Sequence, residues 1–182
     1  MQRKVQVVSS GIGPFILAIE KMNRKILTFI LTSIWLLFWA SPSIALVTEY
    51  QKAIDAYKRK DYKTSYNLIL PLAEKGFAKA QYNLGVMYGN GKGVAKDYSK
   101  AIKWWNLAAD QGNDKAQYNL GVMYEKGSGV SKNYVKACMW YRISGKMGNK
   151  LAVDHMKSIS DKMTSDQIAE AQRLSREWIE NH

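Results

Sequence analysis

The sequence contains one cysteine, Cys138, and two histidines, His155 and His182, among 182 residues. A single thiol excludes an intramolecular disulfide and a four-thiolate metal site. A nucleophilic cysteine needs a histidine beside it. Neither histidine stands in a motif that would supply one, so Cys138 reads as a small buried apolar residue. Prolines number only three, which leaves long helices possible. No carboxylate constellation, metal-ligand spacing or cofactor fingerprint is present, so neither a metal nor a cofactor is expected and the chain reads as a non-enzyme. Acidic residues are scarce against basic ones, giving a net charge of +12. What the chain has is apolar content: 47% hydrophobic residues place it among folded proteins and not disordered ones.

The charge is unevenly placed. Five of the 27 basic residues and one of the 15 acidic ones lie in 1–45, which leaves +8 on 46–182. Within 1–45, the basic stretch Met22-Asn23-Arg24-Lys25 precedes an apolar run from Ile26 to Ala40, followed by Ser41-Pro42-Ser43-Ile44-Ala45. A basic start, an apolar middle and a small-residue end predict a Sec-type signal peptide cleaved after Ala45, hence a periplasmic or secreted protein. The run is short for a spanning helix, which needs about 20 residues. An uncleaved membrane anchor over 26–45 is the alternative. A signal starting at Met22 is complete without residues 1–21, so Met22 competes with Met1 as the true start.

Offsetting the chain by 36 residues exposes a repeat. Ala73–Ala108 and Ala109–Ser144 agree at 20 of 36 positions, including the unbroken run KAQYNLGVMY. Each unit reads as two helices. In the first, helix A, Ala80, Leu84, Met87 and Tyr88 fall on one face, as do their counterparts Ala116, Leu120, Met123 and Tyr124. Gly85 and Gly121 sit mid-helix, where glycine costs roughly 1 kcal/mol relative to alanine. Their recurrence predicts a close helix crossing that admits no side chain. Gly91 and Gly93, repeated as Gly127 and Gly129, end helix A and turn the chain. Asp97 and Asn133 are placed to cap helix B. That helix presents Tyr98, Ala101, Ile102, Trp105 and Ala108 inward, with Tyr134 and Ala137 in the second unit. Gly76 and Gly112 mark the ends of successive units.

This pattern resembles the Sel-1-like repeat, a relative of the tetratricopeptide repeat, and matches it at nearly every signature position of both units. The resemblance implies an all-α fold: a right-handed α-solenoid of antiparallel helix pairs, used by most members as an adaptor between proteins. Residues 73–108 and 109–144 are then the two repeats, and 46–72 an N-terminal capping pair with a shortened helix A over 48–59. Residues 145–182 form a degenerate repeat plus a capping helix. There the register continues through Gly148 and Ala152 and fails at Asp154, His155 and Lys157. Thr164 and Gln167 make a capping box before a last helix with Ile168, Ala171, Leu174 and Trp178 on one side. Cysteine-rich members linked to β-lactam hydrolysis or binding staple each repeat with a cysteine pair. This chain has none, so that activity is not carried over.

Three features have competing readings. Residues 91–96 could be taken for a phosphate loop, but no strand precedes them and the glycine pattern is incomplete, so they read as a turn. Trp104, Trp105 and Trp140 near lysines could stack nucleic-acid bases. They recur where helices pack on each other, which favours core, and no nucleic-acid partner is expected. Asp154 and His155 are adjacent on a helix and do not converge, so a surface or capping role is expected for His155. The remaining candidate is a groove. In the related tetratricopeptide fold helix A lines the concave face, which would place Tyr82, Asn83, Val86 and Asn90 there with Tyr118, Asn119, Val122 and Lys126. Asparagine amides pair with an extended peptide backbone and tyrosine gives rigid contact area. The competing reading makes Tyr82 and Asn83 part of the packing between repeats. The expected function is an exported non-enzymatic adaptor that holds a protein or peptide in this groove. The alternatives are a cell-envelope binder of anionic polymer or lipid through the basic surface, and, least supported, a hydrolase.

Overall fold

The computed structural model describes residues 46–182, and the compact unit within it runs from Val47 to His182. The signal-peptide expectation falls on 1–45, outside the described residues. Among the described residues there are eight helices and no strand: α1 over 46–58, α2 Tyr62–Glu74, α3 Ala78–Asn90, α4 Tyr98–Ala109, α5 Asp114–Lys126, α6 Tyr134–Lys146, α7 Lys150–Ser160 and α8 Ser165–Glu180. The fold is an all-α repeat solenoid. α3 with α4 and α5 with α6 are the two units of the 36-residue repeat. Each helix packs on the next in the chain from α2 to α7, and α8 folds back onto α6.

The boundaries follow from side chains that satisfy the orphan amides and carbonyls of helix ends. Asp97 caps α4 by accepting from the Lys100 amide at 2.9 Å, and Asn133 caps α6 by accepting from the Lys136 amide at 2.9 Å. Asn113 does the same for α5, and Thr164 with Gln167 forms the expected capping box on α8. Gly91 and Gly127 close α3 and α5 in the left-handed region, at φ 68° and 70°. At the opposite turns a pair of buried glutamines does related work. Gln81 and Gln117 donate to the carbonyls of Ala73 and Ala109, each at 3.2 Å. Each thus ties the start of a helix A to the end of the preceding helix B.

The core is continuous through the units. Ala80, Leu84, Met87 and their counterparts Ala116 and Leu120 are fully buried, with Ala101, Trp105, Ala108, Ala137, Cys138 and Tyr141 facing them. Cys138 is a free buried thiol whose pKa burial pushes up. Trp105 and Trp140 are core residues and Trp104 is half-buried. In α8, Ala171 is buried with Ile168, Leu174 and Trp178 half-buried beside it, and the Trp178 ring meets that of Trp140 at 5.6 Å.

Gly85 and Gly121 leave no room for a side chain of their own, as expected, and what closes on them is a ring and not a bare backbone. Each admits an aromatic side chain from the following helix B. A Cβ on Gly85 would lie 2.5 Å from Nε1 of Trp105, and one on Gly121 would lie 2.5 Å from Cε1 of Tyr141. Trp105 and Tyr141 are themselves 36 residues apart, so the glycine and the ring form one repeated lock.

Candidate functional site: the groove lined by the A helices

Bonds between successive A helices show that they stand side by side. Asn83 on α3 donates to the Tyr50 hydroxyl on α1 at 2.6 Å. On the far side, the Tyr118 hydroxyl of α5 lies 3.1 Å from Nε2 of His155 on α7. Two hollows open along this row. The first, about 490 Å³, is lined from α1, α3 and the start of α5, including Tyr50, Lys79, Tyr82, Asn83, Asn113 and Lys115. The second, about 360 Å³, is lined by Tyr82, Val86, Asn90, Tyr98, Trp105 and Asn119 among others. Both volumes are at the small end of ligand sites, the size of one or two side chains of a longer ligand.

The expected groove residues divide into three kinds. Tyr82, Val86, Asn90 and Asn119 are brought together, with Tyr82 forming the wall common to both hollows. Asn83 lines the first hollow but is already bonded to Tyr50, the kind of packing contact weighed for it. Val122 packs on the core, and Tyr118 is engaged with His155. Lys126 is exposed at the end of α5 and lines neither hollow. Tyr82 is held in place from below: its carbonyl accepts from Nε1 of Trp105 at 3.2 Å. Burial raises its phenol pKa, the charge of Asp114 adding to the effect, so it remains a neutral donor across the physiological range.

His155 is partly exposed, its side chain at 42%, in keeping with the expected surface or capping role, and it also has partners. Asp154 is exposed and does not converge with it, as the helix geometry requires, but partners arrive from other helices. Its Nδ1 lies 3.5 Å from Oε2 of Glu125, the same oxygen that accepts from the Tyr141 hydroxyl at 2.6 Å. The Tyr118 and Tyr141 rings pack against the imidazole at 5.4 and 5.3 Å. Carboxylate, imidazole and phenol in sequence suggest an acid–base relay. The phenols argue otherwise. Burial raises the pKa of Tyr118, with the Glu125 charge adding to it, and burial and the Glu125 bond raise that of Tyr141 further. Both are pushed away from the phenolate that a nucleophile or base would need. The bonds of His155 to Tyr118 and Glu125 fasten α7 to the last repeat. Nothing in the sequence pattern marks this cluster, because Glu125 occupies a position where the first repeat has Gly89.

Against known proteins, the Sel1 repeat family model matches residues 78–113 and 114–149. These frames cover the same two units as the 36-residue identity, shifted by five residues. A protective antigen of uropathogenic Escherichia coli, described as displaying an SLR fold, superposes with TM-score 0.71 at 30% identity, covering 74% of this chain and 30% of that one. A Sel1 repeat protein from Oxalobacter formigenes gives TM-score 0.50 at 29% identity, covering 58% of each chain. The DAP3-binding cell death enhancer 1 of Rattus norvegicus is 37% identical over 71 residues, which is 39% of this chain and 13% of that protein. This chain thus matches only a small part of the curated relative and less than a third of the Escherichia coli antigen. Proteins with these repeats generally mediate protein–protein interaction and are typically non-catalytic scaffolds. Repeat sequence and helix order agree: residues 78–149 carry two Sel1 repeats, and the helices around them fold as those of Sel1-repeat proteins do.

Proposed function

We propose that this is an exported, non-enzymatic adaptor that binds an extended segment of a partner protein along the row of A helices. The observation that carries the reading is the pair of hollows flanking Tyr82, which place amides (Asn83, Asn90, Asn119) beside rigid aromatic walls over three consecutive A helices. An extended peptide presents backbone groups and side chains at matching intervals to such a surface. A relative's name as a DAP3-binding protein is in keeping with this mode of use.

Asn119 provides the test, because it lines the second hollow and makes no hydrogen bond through its side chain among the described residues. Peptides selected from a random library on the full chain should bind Asn119→Ala roughly tenfold more weakly, the scale of one lost interface hydrogen bond. The melting temperature should not change. Asn83→Ala, by contrast, should lower stability as well, since it breaks the 2.6 Å bond to Tyr50. A melting temperature lowered in Asn119→Ala with unchanged affinity in the folded fraction would remove the groove assignment and leave the fold intact.

Export belongs to the same proposal and rests on the basic–apolar–small order of 22–45. N-terminal sequencing of the mature protein should begin at Leu46, and a mature chain that retains 22–45 would make the protein membrane-anchored.

A further inference from the structure

The turns joining each helix A to its helix B, α1–α2, α3–α4, α5–α6 and α7–α8, lie in one row. A Cβ on Gly93 would fall 2.3 Å from the carbonyl oxygen of Tyr62, and one on Gly129 would fall 2.6 Å from Cβ of Tyr98. Each turn therefore sits directly on the first residue of the helix B before it. Residues 132–135 share a surface hollow with Gln167 at the start of α8, which brings the fourth turn beside the third. This edge has a run of lysines. Lys60, Lys92, Lys96, Lys126, Lys132 and Lys136 all lie on it, and none pairs with a carboxylate among the described residues. Its acids are Asp61 and Asp97, which cap helices, Glu125, which bonds inward to Tyr141, and the exposed Asp161 and Asp166 at the fourth turn, fewer than its lysines.

Tyrosines accompany the lysines in the same register. Lys96 lies 4.5 Å from the Tyr98 ring centroid, and Lys132, one repeat on, lies 4.7 Å from that of Tyr134. Lys92 sits between Tyr57 and Tyr62 at 5.2 and 5.1 Å, bridging two successive turns. Cations and phenols at one level, spread along an edge and not around a channel, match the headgroup region of an anionic bilayer. There lysine meets phosphate and the tyrosine ring settles between water and acyl chain.

We propose that this basic, tyrosine-lined edge docks the protein onto an anionic phospholipid surface, independently of the peptide groove. Each lysine held near such a surface contributes a partition factor of roughly five, and screening by salt removes it.

The apolar run at 26–40 would itself enter any bilayer, so the readout must resolve the edge and not total binding. The full chain is mixed with phosphatidylcholine vesicles or with vesicles containing phosphatidylglycerol, and amine acylation is followed residue by residue by mass spectrometry. In the anionic vesicles Lys96, Lys132 and Lys136 should be labelled about fivefold more slowly than in the neutral ones. Lys75 and Lys150 on the opposite edge should change little, and high salt should abolish the difference. In Lys96→Glu/Lys132→Glu, whose sites are exposed and leave the fold intact, protection of Lys92 and Lys136 should be lost. Equal protection on both edges, or none, would overturn the proposal. So would soluble polyglutamate protecting the same lysines as well as the vesicles do, which would reassign the edge to an acidic polymer.

Discussion

Trp105→Ala is expected to be the most destabilising single truncation in the second hollow, at about 3–5 kcal/mol, the usual range for removing a large aromatic from a core. The indole is 4% exposed. It lies over Gly85 and Gly89 of α3, and its Nε1 donates to the Tyr82 carbonyl at 3.2 Å. Neither glycine has a side chain with which to refill the space, so collapse around the void would require the two helices to approach as bodies. The chain on either side of them is fastened by Gln81 to Ala73 and by Gln117 to Ala109, which opposes that approach. Denaturant unfolding should show the midpoint shifted with little change in slope. Because the ring also floors the hollow beneath Tyr82, peptide binding should fall even in the folded fraction. A loss below about 1 kcal/mol would mean that the helices do close over the gap, and that the glycines serve some purpose other than seating the ring.

How much of this was legible in the sequence depends on what sort of contact each feature needs. The helices were legible because their signals are local: the apolar spacing of Ala80, Leu84 and Met87, the caps at Asp97 and Asn133, and the glycines at 91 and 93 act within one turn of chain. The glycine–aromatic lock was half legible. Two mid-helix glycines 36 residues apart announce a close approach, but what approaches is decided by a side chain 20 residues further on. A backbone-only crossing fits the same pattern. The His155 cluster was not legible, since it joins Tyr118, Glu125 and Tyr141 from two other helices at a place where the repeats differ. Adjacency arguments about Asp154 could not reach it. The groove residues fall between these cases. The alignment of helix A picked eight residues, of which Tyr82, Val86, Asn90 and Asn119 line one hollow. Which asparagine is spare and which is bonded depends on Tyr50, a residue in the cap where the repeat signature has already lapsed.

The lock itself yields a test of sign. Glycine inside a helix is worse than alanine by about 1 kcal/mol, so Gly121→Ala should stabilise α5 if propensity alone mattered. It is expected to destabilise the protein by about 1–3 kcal/mol, the range for overpacking a tight core, and Gly121→Leu by more. The new methyl carbon would stand 2.5 Å from Cε1 and 2.6 Å from Cδ1 of Tyr141. That ring cannot withdraw. It is fully buried, its hydroxyl is bonded to Glu125 at 2.6 Å, and the Tyr118 and His155 rings pack against it. Truncating the ring as well should reverse the sign. In a Tyr141→Leu background the methyl group has room, and Gly121→Ala should become neutral or stabilising by the helix-propensity difference. The double-mutant cycle should then show a coupling of about 1–3 kcal/mol, the size seen for residues in contact. Additive effects would mean that Gly121 is small for a reason unrelated to Tyr141. They would also weaken the equivalent reading of Gly85 and Trp105, since the two pairs occupy the same places in successive repeats.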